Sequence, residues 1–174
     1  MGRRIAETER LIIRTHEAAD VEPLARLWCD PTETTYMGGP RDFGRVCESI
    51  REDVALPEQP TFDLWTVIEK ATGELIGHCG LLDKEIEGHP EIELVYLVVP
   101  RLWGRGYATE AGEAIKNHAL MSLACDRLVA LIHPQNRASV RVAEKLGFRF
   151  DHSVERQHGT MHLYVAAADK PPID

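Results

Sequence analysis

Glu91-Ile-Glu93-Leu-Val-Tyr-Leu97-Val98-Val99-Pro100-Arg101-Leu-Trp103-Gly104-Arg105-Gly106-Tyr107-Ala108-Thr109-Glu110-Ala111 is the stretch from which the rest of the chain is read. Its first nine residues are mostly β-branched or otherwise apolar, which favours a strand, and Pro100 ends that strand because it has no N–H for a ladder. A Gly-x-Gly turn follows, and Tyr107 to Leu120 then carries a helical pattern. A strand, a glycine turn and a helix start in this order make a place for phosphate. Glycine lets the backbone approach an anion, successive N–H groups point inward, and the helix N-terminus adds roughly half a positive charge. Arg101 and Arg105 would add side-chain charge. A plain hinge uses the same turn, so the spacing excludes more than it assigns. Thr109 stands where a dinucleotide-binding fold needs its third glycine, and the preceding strand belongs to hairpins rather than to the start of a βαβ unit. A Walker A loop needs Gly-Lys-Ser/Thr, which does not follow here.

Working upstream, Phe62 to Glu69, Glu74 to Asp83 and Glu91 to Val99 are β-rich runs separated by the turn-forming Lys70-Ala-Thr-Gly73 and Glu87-Gly-His-Pro90, a pattern that predicts an antiparallel meander. Leu11 to Arg14 reads as a first strand. Asp20 is placed to cap a short helix with Val21, Leu24, Leu27 and Trp28 on one face, and a second helix with apolar Phe43, Val46, Cys47, Ile50 and Val54 follows Gly38-Gly39-Pro40. Downstream come a strand at Arg127 to His133, a helix from Asn136 to Leu146 closed by Gly147, and strands near Phe148 to Glu155 and Thr160 to Ala166. The expected fold class is α/β (α+β), a mixed, mostly antiparallel twisted sheet flanked by helices in the order β-α-α-β-β-β-α-β-α-β-β. One domain over residues 1–174 is expected, with 1–7 and 168–174 as flexible tails.

Composition narrows the function classes. The chain has 174 residues, 44% apolar and 28% charged, which is globular, and even its longest apolar runs, such as Leu94 to Val99, are far short of the ~20 residues that span a bilayer. Met1-Gly2-Arg3-Arg4 leads into charged residues rather than a signal-peptide core, so a cytoplasmic protein is expected. Cys29, Cys47, Cys79 and Cys125 stand far apart with no C-x-x-C, which suggests reduced, mostly buried thiols. The net charge of −8 argues against nucleic acid or an anionic membrane as partner. Residues 1–100 carry a net −10 and residues 101–174 a net +2, so a cation suits the first part and an anion the second. His152, His158 and His162 form no closed ligand pattern, and no metal is expected.

The loop Trp103-Gly-Arg-Gly-Tyr-Ala-Thr-Glu-Ala111 and the run Asn136-Arg-Ala-Ser-Val-Arg-Val-Ala-Glu-Lys-Leu-Gly-Phe148 together resemble the acetyl-CoA-binding motifs of the GNAT N-acetyltransferase superfamily. More narrowly, they are similar to the branch of the ribosomal-protein-alanine N-acetyltransferases, which Thr8-Glu-Arg-Leu-Ile-Ile-Arg14 and Tyr36-Met-Gly-Gly39 also match. The resemblance covers roughly residues 8 to 165. It implies acetyl-CoA as co-substrate, with pantetheine paired to the backbone of Leu97, Val98 and Val99. The pyrophosphate would be cradled by the loop from Trp103 through Gly104, Arg105, Gly106, Tyr107, Ala108 and Thr109. Asn136 would reach the pantetheine amide while capping its own helix.

Acetyl transfer from a thioester to an amine needs a neutral amine, a stabilised oxyanion and a proton for the departing thiolate. The resemblance puts a carboxylate base at Glu93, whose strand face is shared with Val95, Leu97 and Val99; Glu91 and His78 are alternatives. Ser139 matches the serine suggested to protonate the thiolate, whereas the tyrosine that many relatives place one turn later is Ala143 here. Trp28 and Tyr36 fall where the family forms a wall of the acceptor pocket, although an aromatic on an apolar helix face also serves the core. The implied activity is direct transfer to an amine acceptor, a small molecule or a protein N-terminus, with a homodimer possible. A non-catalytic acyl-CoA-binding or sensory module is the alternative.

Overall fold

The computed structural model describes residues 2–157 and 159–167. The elements, in chain order, are β1 (Arg4–Glu7), β2 (Leu11–Arg14), α1 (Val21–Cys29), α2 (Phe43–Ala55), β3 (Leu64–Glu69), β4 (Leu75–Ile86) and β5 (His89–Val98). They continue with α3 (Tyr107–Asn117), β6 (Arg127–Ile132), α4 (Arg137–Lys145), β7 (Arg149–Arg156) and β8 (Gly159–Ala167). The eight strands form one mixed sheet in the order β1-β2-β3-β4-β5-β6-β8-β7. Every neighbouring pair is antiparallel except β5 and β6, which are parallel and joined by the α3 crossover that a parallel pair requires.

Period-two alternation along β5 supplies both layers of the core. Leu94 and Val98 pack on one face with Ile115 and Ala111 of α3, Ala143 of α4, and Trp65 and Phe148. Val95 and Leu97 pack on the other with Leu24 and Leu27 of α1 and Ile50 of α2. Helices therefore cover both faces, and β5 lies between them. The β4–β5 hairpin turns on Glu87 and Gly88, both at positive φ (52° and 81°), the geometry of a tight type I′ turn that matches strand twist.

Several expectations change. Residues 4–7 are not a tail but strand β1, paired with β2, because Ile5 and Ala6 reach the core. Residues 168–174 lie outside the described residues. Asp20 does not cap α1 with its side chain. Its carboxylate is buried instead, accepting from Arg14 at 2.6 and 3.0 Å, the Glu17 amide at 2.8 Å and the Thr66 hydroxyl at 3.0 Å, which ties the start of α1 to β2 and β3. Burial pushes this carboxyl up, but those donors outweigh it, and it titrates below the usual range. Phe43 is 42% exposed rather than part of the α2 core face, which Cys47 and Ile50 supply. All four cysteines are free; Cys47 and Cys79 are buried and Cys29 and Cys125 only half-buried. No helix among the described residues is long and apolar enough to cross a membrane.

Candidate active site

Strands β5 and β6 pair at one position only, Glu93 with Val129, although β5 runs on to Val98 and β6 to Ile132. Beyond Glu93 they diverge, and the gap between them is the centre of the site. Which backbone groups face it follows from ladder geometry. Val99 donates its N–H to Ile76 of β4 (2.8 Å), so Val99 and, by alternation, Leu97 are turned toward β4, and Val98 is turned into the gap. Of the three strand positions expected to meet pantetheine, Val98 is the one whose backbone is presented there. Its carbonyl accepts the Trp103 indole N–H at 2.6 Å.

The chain leaves β5 through Pro100 and enters the glycine turn. Gly104 (φ 74°) and Gly106 (φ 83°) both adopt the left-handed conformation that favours glycine, and Gly106 immediately precedes α3. The first helical bond runs from the Glu110 N–H to the Gly106 carbonyl (3.0 Å). Among the described residues, the N–H groups of Gly104, Arg105, Gly106, Tyr107, Ala108 and Thr109 have no protein acceptor. Six successive free amides at a helix start make an anion cradle.

The cradle is braced from behind by a residue that sequence reasoning did not single out. Arg10 donates from Nη1 to the Arg105 carbonyl (3.1 Å) and from Nε to Glu110 (2.6 Å), and its guanidinium lies 4.2 Å over the Tyr107 ring. Glu110 also accepts from the Thr8 hydroxyl (2.5 Å) and the Arg10 amide (3.0 Å). The Tyr107 side chain turns inward and donates to Glu69, so only its backbone serves the loop. Arg101 does not add charge to the cradle, because it is paired with Glu74 at 2.7 Å. Arg105 stays exposed beside the loop.

On the far side, Asn136 caps α4, its Oδ1 accepting the Ser139 N–H at 3.1 Å. Ser139 is half-buried, and its carbonyl takes the Tyr96 phenol at 2.9 Å. Ala143 is buried in the core and offers no phenol, and the phenol that reaches α4 from β5, Tyr96, is engaged by the Ser139 carbonyl. Burial pushes the Tyr96 hydroxyl far above its ordinary pKa.

Glu93 is half-buried at the fork of the two strands. Burial raises its carboxyl above the usual range, opposed by Lys84, the Leu131 backbone and Arg156, so it holds a proton more readily than a surface glutamate. The two alternatives are occupied. Glu91 is paired with Arg127 at 3.1 Å. His78 lies opposite Leu97 but is buried, and both ring nitrogens are engaged. The Trp28 indole, which only donates, gives its N–H to His78 Nδ1 (3.0 Å), so the His78 proton is on Nε2 and points at His16 Nε2 (2.7 Å). The His16 proton is then on Nδ1, which is buried and has no partner among the described residues. Burial, reinforced by His16, pushes His78 down to about 3 and keeps it neutral.

Trp28 accordingly serves His78 and the α1–α2 core, with Arg41 at 6.0 Å over its ring. Tyr36 stacks on His133 at the end of β6, centroids 5.1 Å apart. His158 lies outside the described residues. His152 is held between Asp151 (2.6 Å) and Glu87 (2.8 Å), carboxylate partners not foreseen from spacing, and His162 lies against Phe150.

A forked parallel pair followed by a cradle of unpaired amides defines the class. Residues 10–149 match the family model described as an acetyltransferase (GNAT) domain, and the chain belongs to the GNAT acetyltransferase family. It is 32% identical over 158 residues to the uncharacterized protein YkkB of Bacillus subtilis, covering 90% of this chain and 92% of YkkB. Its fold is similar to that of a GNAT-family acetyltransferase from Bacillus anthracis (TM-score 0.80, 22% identity, 95% and 99% of the two chains). It is also similar to that of RimL, a ribosomal L7/L12 α-N-protein acetyltransferase in complex with coenzyme A (TM-score 0.75, 14% identity, 95% and 98%).

Proposed function

We propose that this protein binds acetyl-CoA in the gap between β5 and β6 and transfers the acetyl group to an amine, a protein N-terminus or a small molecule. The observation that carries this reading is the fork at Glu93 leading into six unpaired amides, since the opened strand edge suits an extended amide-bearing arm and the cradle suits its phosphates. The RimL neighbour, described with coenzyme A, supports the same choice of ligand.

Acetyl-CoA supplies the thioester whose acetyl carbon the amine attacks. The residues of this chain do the rest. Val98 and Asn136 would orient the pantetheine, and the amides of Gly104 to Thr109 with Arg105 would hold the pyrophosphate. Glu93, the carboxylate at the fork, takes the proton that the amine nitrogen loses as the new C–N bond forms. Ser139, at the start of α4, gives a proton to the sulfur that leaves, with the Tyr96 phenol fixing the helix turn that carries it. Acetyl-CoA incubated with a panel of primary amines and N-terminal peptides, read by thiol release and product mass, tests the reading. CoA binding with no acetylated amine would instead favour a binding module.

A further inference from the structure

The loop joining α1 to α2 crosses the mouth of the gap and carries a carboxylate with it. At the middle of the loop, Tyr36 stacks on His133 beside β6. Three residues earlier, Glu33 accepts the Trp103 indole N–H at 3.2 Å, the same N–H that donates to Val98 of β5 at 2.6 Å. The loop thus touches both arms of the fork. It is held in shape by Thr34, which is fully buried. The Thr34 hydroxyl donates to the Asp30 carbonyl (2.7 Å), and its own carbonyl accepts from the amides of Met37 (2.8 Å) and Gly39 (3.0 Å).

Glu33 is under-provided for its surroundings. It is half-buried, yet its carboxylate, with about four lone-pair sites, receives one long, shared hydrogen bond, and no lysine or arginine among the described residues pairs with it. Burial and the neighbouring Asp30 push its pKa up to about 7, against the Trp103 bond. A cation arriving here relieves that cost. The loop also belongs to the acidic part of the chain, residues 1–100 with net charge −10, which draws cations toward this side.

We propose that Glu33 is the acceptor-recognition residue, its carboxylate receiving a cationic group of the acceptor other than the amine that is acetylated, at the mouth of the gap, while Trp103 tethers it to β5. The proposal rests on the acetyl-transfer reading and assigns Glu33 to binding, not to proton abstraction at Glu93.

The test uses wild type, Glu33→Gln and Glu33→Asp with acetyl-CoA and two sets of amines of matched size. One set carries an ammonium group beyond the primary amine that reacts, and the other carries a neutral group at that position. Glu33→Gln is expected to raise KM for the charged set by about 30-fold, the low end of the loss when one partner of a hydrogen-bonded charge pair is removed, as suits a half-buried site. Its kcat, its kinetics with the neutral set and its affinity for CoA should stay within about 3-fold of wild type, and Glu33→Asp should recover part of the loss. Equal effects on both sets, a loss confined to kcat, or no change in Glu33→Gln overturns the role of Glu33 alone. Wild-type protein that binds CoA but acetylates no amine overturns the acetyl-transfer reading and this proposal with it.

Discussion

Replacing Gly106 separates backbone strain from charge in the cradle of free amides proposed to hold the CoA phosphates. Gly106 holds φ 83° and ψ 2° directly before α3, a conformation that costs an L-residue ~1–2 kcal/mol. A Cβ added there meets nothing closer than the Arg10 guanidinium at 3.6 Å, an ordinary contact, so Gly106→Ala should cost that strain and little else. For a chain of this length the loss corresponds to a fall in Tm of about 2–8 °C. Gly106→Glu carries the same strain and adds a negative charge among the six free amides. A unit charge about 5 Å from each of two phosphate charges is repelled by roughly 1.7 kcal/mol in total at the dielectric of water, and by several-fold more in a partly desolvated loop. Even the lower figure weakens CoA binding by about 15-fold. Calorimetric titration with CoA, alongside thermal melts of the three proteins, measures both quantities. A folded Gly106→Glu protein with a Kd within 3-fold of wild type would refute the site, and equal weakening by the alanine variant would show that charge is not the cause.

Three further outcomes are expected. Glu93→Gln should lower kcat by ~10²-fold with CoA affinity unchanged, as for loss of a general base; activity within a few-fold of wild type would make Glu93 structural. Ser139→Ala should slow transfer while Tm stays near wild type, since the Asn136 and Tyr96 bonds at this residue engage its backbone and survive the change; an unaltered rate leaves the thiolate to solvent. His16 and His78 are held neutral by burial, below the ~6.5 of the unfolded chain, so the unfolded state binds protons first and these groups destabilise the fold as pH drops below ~6.5. For His78 alone the loss is about 1.4 kcal/mol at pH 5.5, and it follows from the unfolded pKa as long as the folded value lies well below 5.5. Denaturant unfolding of wild type and His78→Gln at pH 7.5 and 5.5 isolates it, and identical pH dependence in the two proteins would contradict the neutral, buried assignment.

Most elements were legible because each is specified by neighbours in the chain. The period-two run into Pro100, the Gly-x-Gly turn and the Asn136 to Gly147 helix with its cap and terminator are all local patterns. They appear as β5, the cradle and α4 with ends shifted by a residue or two. Strand β1 was missed because four residues with exposed ends carry no periodic signal; pairing with β2 makes it a strand. Asp20 looked like a cap because its local position is that of one, but Arg14 and Thr66 offered a buried carboxylate more than one helix amide could.

What the sequence determined by itself is the chemistry available along the strand and loop: a carboxylate at Glu93, glycines where the backbone must turn left-handed, a serine and an asparagine opening α4. These are short-range matters of residue type and spacing. Only the tertiary structure decided which groups meet. It brought Arg10 under the Arg105 carbonyl, Tyr96 to Ser139, Trp28 to His78, and Glu33 to Trp103 across 70 residues of chain. It also parted β5 from β6 after one shared pair, turning Val98 rather than Leu97 or Val99 into the gap. Such contacts depend on sheet order, twist and the parity of a hydrogen-bond ladder, and these are set by packing both helical layers on one sheet rather than by any residue's neighbours in sequence.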